Sequence, residues 1–481
     1  MPNLPAFIGA AYMARSPNVA ADRLINLIPE VVETPKGKHV AAYYGTPGLR
    51  LTHTLSGSGG IRGLATVSTT GRVFAVRGNT LYELFSGGTS LSRGTLNTNS
   101  GAVELSDNGV QLVMVDGTNG YVLTLATNVF QVITDPDFPA AKQIQFLDGY
   151  FVMPIPNTGQ FTITSLYDAT QVDALDFATA EGSPDLLVSL RVDHREVWLF
   201  GTRSIEVWFN SGNPDFPFDR IQGAYIEYGC GAPFSVAQLD NTIYWLGSDE
   251  RGQHMVWRAQ GYQPQRISTH AIEFALAGYS PASIAAARAY TYQQEGHSYY
   301  VLNCDEATWT YDMSTGLWHQ RAFLAENGTL ERHRVQVYTA GLGLHLAGDY
   351  ADGRMYEMDL DTFTDDGQEI PRIRTAPHFA AEDLQWLFHH RFQLDLETGI
   401  GRDGGAQPGV TPQLMLRFSD DGGHVWSNEK WVSAGALGNY RHRALWRRLG
   451  KSRDRVYEIR QTDPVKTAWI NANVTVSGGI S

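Results

Sequence analysis

Apolar and polar residues alternate in short runs along most of the chain, and the runs come in pairs. In RVFAVRGNTLYELF (72–85) two such runs flank a Gly-Asn break, and QLVMVDGTNGYVLTL (111–125) repeats the layout around Asp-Gly. Side chains on a strand point alternately to two faces, so a period of two interrupted by Gly, Asn or Asp predicts a β-hairpin. The same pattern returns at YFVMPIPNTGQFTIT (150–164), REVWLFGTRSIEVWF (195–209) and TIYWLGSDERGQHMVWR (242–258). SYYVLNCDEATWTYD (298–312) and LHLAGDYADGRMYEMDL (344–360) complete the series. Its first and last members share a second strand, Leu81-Tyr82-Glu83-Leu84 against Met355-Tyr356-Glu357-Met358.

The hairpins recur about every 40–55 residues, the period of propeller blades, with room for one four-stranded sheet per unit. The pattern predicts an all-β protein whose residues 51–363 form a β-propeller of six or seven blades. Strands from the two ends of that range would close the ring jointly. The intervals lack long helical periodicity, which argues against a parallel α/β fold; one short helix is expected near Ser283–Ala289. Residues 1–50 lack this alternation and carry several prolines and the apolar LINLIPEVV, and they read as an extended N-terminal arm packed on the body or on a neighbour. After Asp361 the pattern changes. TDDGQEIP (364–371) reads as a linker and GIGRDGGAQPGV (399–410) as a long loop. Five alternating runs, FHHRFQLDLE, QLMLRFSD, RALWRRLG, RVYEIRQT and AWINANVTV, predict an antiparallel sandwich or barrel over 364–481.

Composition narrows the function. The 481 residues leave room for two or three domains, and 49 Gly with 21 Pro fit many short strands and turns. Lys+Arg 37 against Asp+Glu 50 gives a formal charge of −13, which excludes a general phosphate-neutralising surface for DNA. Cys230 and Cys304 have no metal or redox spacing and read as free buried thiols. The start, MPNLPAFIGAAYMARSPN, lacks the layout of a signal peptide, and no apolar run approaches the ~20 residues of a membrane span.

One stretch raises the question of catalysis. SDDGGHVWS (419–427) fits the Asp-box pattern Ser-x-Asp-x-Gly-x-Thr-Trp of sialidase hairpins, with Val425 at the threonine position. A sialidase site needs several such boxes and, at the propeller centre, three arginines, a tyrosine–carboxylate pair and an acid. Here a single box lies outside the predicted propeller, and PRIR (371–374) follows the propeller where the arginine motif of sialidases precedes it. The box therefore reads as a structural turn. Asp421 accepts backbone hydrogens beside Ser419, Gly422 and Gly423 take unusual backbone angles, and Trp426 packs beneath. His389 and His390, adjacent on a strand, point to opposite faces and cannot share a metal. LSGSGGIRG (55–63) lacks the Lys-Ser/Thr of a phosphate loop. No cofactor, metal or catalytic set is expected.

Motifs at both ends carry a resemblance. The N-terminal set is Arg15-Ser16, Arg23, Asn26-Leu27-Ile28-Pro29-Glu30 and Tyr44-Gly45-Thr46-Pro47-Gly48-Leu49. The C-terminal set is the SDDGGHVWS hairpin, Gly438-Asn439-Tyr440, Trp446-Arg447-Arg448-Leu449-Gly450 and Asp463-Pro464-Val465. Together they resemble the packaged-DNA stabilisation proteins of short-tailed bacteriophages, also called tail hub or nozzle proteins. Ile28 stands where that family often has an aromatic residue. The resemblance implies a non-enzymatic virion protein with a propeller body, made in the host cytoplasm and built into the tail as a homohexameric ring. That ring would lie below the portal and adaptor (head-to-tail) proteins and extend the DNA channel. It would retain the packaged genome and carry tail fibre, spike or needle proteins. Double-stranded DNA would pass through it during ejection without sequence-specific binding. The alternative is a propeller that binds a host-surface glycan, or a sialidase-like glycosidase that cleaves one.

RHRALWRRLGKSRDR (441–455) is basic in an acidic chain, with Arg441, Arg443, Arg447, Arg448, Lys451, Arg453 and Arg455 against Asp454 alone. One reading is two solvated strands with weak surface ion pairs. The other is a docking surface for an acidic face of a neighbouring subunit or adaptor, because the planar guanidinium fork suits fixed carboxylates.

Overall fold

A computed structural model of the chain describes residues 4–32, 41–248, 252–405 and 407–479. It divides into two compact units, one formed by Leu51–Asp305 and Arg334–Met358, the other by Met1–Arg50, Glu306–His333 and Asp359–Ser481.

The first unit is a propeller. Its first sheet runs through Ile61–Thr66, Val73–Arg77, Thr80–Leu84 and Ser90–Thr95 in sequence order, each strand antiparallel to the next. The sheets spanning 104–132, 145–179 and 187–226 repeat that order. In the fifth, Ala237–Leu239, Thr242–Ser248, His254–Gln260 and Gln263–Arg266 follow one another, and Gly229–Cys230 joins one side. The hairpin Arg288–Gln294/His297–Asn303 comes sixth. The seventh sheet pairs Val335–Gly341 with Leu344–Asp349, which pairs with the strand beginning at Arg354. The innermost strands, beginning at Ile61, Glu104, Gln145, Leu187, Ala237, Arg288 and Val335, pack each against the next and the last against the first. Seven blades therefore close the ring.

Closure is joint. Thr52 Oγ1 donates to the Met355 carbonyl at 3.0 Å and Leu55 N–H to the Gly353 carbonyl at 2.8 Å, so chain from before the first blade borders the last. Between neighbouring blades the facing side chains interdigitate. Phe74, Val76 and Leu81 of the first meet Leu112, Met114, Tyr121 and Leu123 of the second. The turns anchor themselves: Asp116 accepts from the Thr118 and Asn119 N–H groups and from the Tyr121 hydroxyl. All seven sequence hairpins supply pairs of strands, although the second strand of the sixth, Thr308–Asp312, belongs to the other unit, and the turn residues 249–251 lie outside the described residues. The expected helix lies earlier, at Pro281–Ala285, after a second one at His270–Leu276. Arg288 already starts the alternating RAYTYQQ strand, so the helix cannot reach Ala289.

The second unit is a β-sandwich. One sheet orders Leu27–Val31, Ala41–Gly45, Ala468–Gly478, Leu387–Leu396 and Ala444–Arg447, with Lys451–Ser452 also on Leu387–Leu396. The other includes Leu317–Leu324, Arg23–Ile25, Arg372–Thr375, Asp454–Gln461, Gln413–Ser419 and Lys430–Ser433. Phe392, Leu394, Trp446 and Val474 from the first face Leu414, Leu416, Tyr457 and Ile459 from the second across one core. The five runs read from sequence all appear as strands.

Residues 1–50 add three strands to this sandwich, and Leu4 and Phe7 enter its core. Arg374, fully buried, donates to the carbonyls of Phe7 (2.8 Å) and Ala6 (3.1 Å), fixing the segment. The expected arm is thus largely woven in, with 33–40 outside the described residues. TDDGQEIP is likewise no open linker. Thr364–Asp365 pairs with Gln368–Glu369 around Asp366 and Gly367, both at positive φ, and Asp365 is buried beside Leu49. Cys230 and Cys304 are buried and unbridged. Among the described residues no helix is long and apolar enough to cross a membrane.

Candidate docking surface

Leu387–Leu396 is the strand that organises the basic residues, because its side chains alternate between core and solvent. Phe392 and Leu394 point into the sandwich core. Arg391, Gln393 and Asp395 therefore share the outer face. Register then brings Arg447 directly opposite Arg391 and Leu445 opposite Gln393, and Arg443 Nη2 donates to Gln393 Oε1 at 3.0 Å. Register thus sets two arginines at directly opposed positions on this face. Arg391 Nη2 also donates to Thr475 Oγ1, at 3.4 Å, on the neighbouring strand Ala468–Gly478.

Arg441, Arg447 and Arg448 are exposed, and among the described residues none meets a carboxylate. Arg448 takes a positive φ in the turn after the strand, where its N–H donates to the His390 carbonyl. Lys451 and Arg453 both lie over the Trp386 ring, at 4.6 and 5.1 Å, a cation–π arrangement that leaves their charge toward solvent. Tyr440, next to Arg441 in sequence, is 74% exposed.

Arg455 does not belong to this surface. It is buried, forks onto Asp420 at 2.6 and 2.8 Å, donates to the Leu449 carbonyl at 2.6 Å and stacks on Phe418 at 3.9 Å. It lies on the central strand Asp454–Gln461, where Arg455 through Glu458 are all buried, so it braces the sandwich interior. Beside it, His389 hydrogen-bonds Tyr457 Oη and Ser452 Oγ, each at 2.8 Å. Burial, and then the Arg455 charge, push this imidazole down to about 3, so it is neutral. His390 instead meets Ser477 Oγ, and the two rings do diverge.

The Asp-box residues are occupied with their own turn. Ser419 Oγ donates to Asp421 Oδ1 at 2.6 Å and accepts from Gly423 N–H at 2.8 Å, and Asp421 accepts from Val425 N–H at 2.9 Å. These bonds hold the exposed Asp421 carboxyl below its usual range. Gly422 and Gly423 have φ of 73° and 97°, and a Cβ on Gly422 would collide with Asn18. Trp426 is half-buried under the Arg417 guanidinium at 4.7 Å. Among the described residues no group of three or more His, Cys, Asp or Glu could hold a metal.

A seven-bladed propeller, a β-sandwich threaded by the N-terminal segment, and an arginine-bearing outer sheet define an all-β protein of propeller-and-sandwich build. The family descriptions "Bacteriophage P22 Gp10, beta-propeller" and "Bacteriophage P22 Gp10, beta-sandwich" match residues 3–363 and 372–477. The chain belongs to the bacteriophage P22 Gp10 family, the packaged-DNA stabilisation proteins of the phage tail. No curated protein matches it. Among solved structures it is similar to the WD40 propeller domain of Doa1, at 12% identity and TM-score 0.38, over 65% of this chain and 98% of that one. The extracellular domain of the putative hybrid two-component system BT4673 from B. thetaiotaomicron aligns at 10% identity and TM-score 0.45, over 80% of this chain and 47% of that one. For the N-terminal domain of Nup159 the values are 10%, 0.40, 69% and 98%.

Sequence reasoning missed Arg391. The signal was present, since FHHRFQLDLE alternates and places Arg391, Gln393 and Asp395 opposite the core face. What could not be read was which strand lies beside it.

Proposed function

We propose that the protein is a non-catalytic structural component of a phage tail, assembled as a ring of about six copies. The ring extends the DNA channel below portal and adaptor, retains the packaged genome and releases it on ejection. Fibre, spike or needle proteins attach to it. Membership of the P22 Gp10 family is the observation that carries this reading. The net charge of −13 suits a wall past which DNA slides without sticking. A glycan-cleaving role finds no support in the Asp box, whose serine and aspartate are spent on their own turn.

Within that reading the outer sheet face around Arg391, Arg443 and Arg447, with Arg441 and Arg448, docks onto an acidic surface of a neighbouring subunit or of the adaptor. The exposed Arg441, Arg447 and Arg448 support this, because among the described residues none of them meets a carboxylate and a guanidinium fork suits an incoming one. The test is Arg447→Glu combined with Arg448→Glu, read by thermal melting of the isolated protein and by nuclease-protected genome in assembled particles. The expected result is an unchanged melt with capsids that leak DNA. Normal assembly refutes docking through these residues, and loss of the fold assigns them to internal structure.

A further inference from the structure

The seven innermost strands of the propeller enclose an axial cavity of ≈ 200 Å³, and its lining is polar and charged. Three arginines, Arg62, Arg191 and Arg288, reach it, with one carboxylate, Glu104. This excess of cations runs against the overall charge of the chain.

The three arginines are not equivalent. Arg62 is locked: its donors go to the carbonyls of Gly78, Thr98, Ser100 and Gly101 and to Thr98 Oγ1. The Asp116 carboxylate, which accepts from the same Thr98 hydroxyl, offsets its charge. Arg288 lies over the Phe234 ring at 5.3 Å and donates to the Arg62 carbonyl at 3.3 Å. Arg191 differs from both. Its nearest carboxylate oxygen, on Glu104, is 3.6 Å away, beyond hydrogen-bond reach. Among the described residues its side chain makes no hydrogen bond, and it is 29% exposed where it borders the cavity. Glu104 is meanwhile engaged by Gln145 Nε2 at 3.0 Å. Burial raises the Glu104 carboxyl despite both arginines, which marks the cavity as a poor solvent for charge.

We propose that this cavity is a binding site for one small oxyanion of the size and charge of phosphate, held by the guanidinium fork of Arg191. Arg288, whose charge also reaches Glu104, supplies further positive field beside it. A planar fork with unused donors, in a place where charges are weakly screened, fits a tetrahedral oxyanion bidentately.

Equilibrium dialysis of the full chain against radiolabelled inorganic phosphate, with ionic strength held constant by chloride, tests this. The expected result is saturable retention of one phosphate per chain. Retention should fall roughly tenfold or more in Arg191→Gln, the loss expected for charge-assisted hydrogen bonds, and partially in Arg191→Lys. Arg195→Gln, on the propeller surface beside Asp148, should bind like the parent. Absence of saturable retention by the parent protein overturns the proposal whether or not the variants fold, and so does equal retention by a folded Arg191→Gln or Arg191→Lys.

Discussion

The basic segment 441–455 shows how residues of one type divide into different roles. Arg455 is an internal strut, whereas Arg447 and Arg448 face solvent and meet no carboxylate among the described residues. Replacing Arg455 with Ala strands the Leu449 carbonyl and should destabilise the protein by roughly 1–3 kcal/mol in denaturant unfolding. Glutamates at 447 and 448 should shift the same curve by no more than about 0.5 kcal/mol. The distinction was not legible in the sequence, because RVYEIRQT gives Arg455 the look of an outward position on an edge strand. Its burial comes from Asp420, Phe418 and the Leu449 carbonyl, and which of these meet it no local pattern records. His389 yields a pH prediction. Its folded-state pKa, about 3, lies below the ordinary value of 6.5, so the unfolded chain binds the proton more tightly. Its stabilising contribution is complete above pH 6.5 and is lost as the pH falls toward 3. Between pH 7 and pH 5 the parent protein should lose about 2 kcal/mol more than His389→Gln, measured by urea unfolding at the two pH values. Equal losses would mean that the folded-state pKa of His389 is not depressed.

At the scale of elements, the hairpins were legible because each is local: two alternating runs and a turn within about fifteen residues. The first fifty residues were not. Arg23–Ile25 finds its partners at Arg372–Thr375 and Gln320, and Ala41–Gly45 pairs with Ala468–Trp469, hundreds of positions away. No local period records such pairings, so a woven-in segment looked like an arm. The consequence is testable. Phe7 is 1% exposed in the sandwich core, and Phe7→Ala should cost about 3–5 kcal/mol of stability by calorimetry or denaturant unfolding. An arm packed on a neighbouring copy would tolerate that change in the isolated chain. The linker reading of TDDGQEIP missed the pairing for a similar reason, since turn-forming residues mark a tight hairpin as readily as an open loop.

For the whole molecule, the all-β propeller with an appended sandwich was accessible from periodicity alone. The phage family came from motifs at the two ends, and the family comparison shows it independently. Within the propeller the ring closes through its innermost strands and through chain that precedes the first blade. Its axis is lined by arginines with a single glutamate, an arrangement no local pattern predicted because the contributors are spread over the blades. The central proposal is that this chain acts as one copy in a closed tail ring. Mass photometry of the protein assembled on its adaptor ring tests it most directly. The account predicts a complex whose added mass corresponds to about six copies of this chain; a single copy or a dimer in the assembled tail would contradict it.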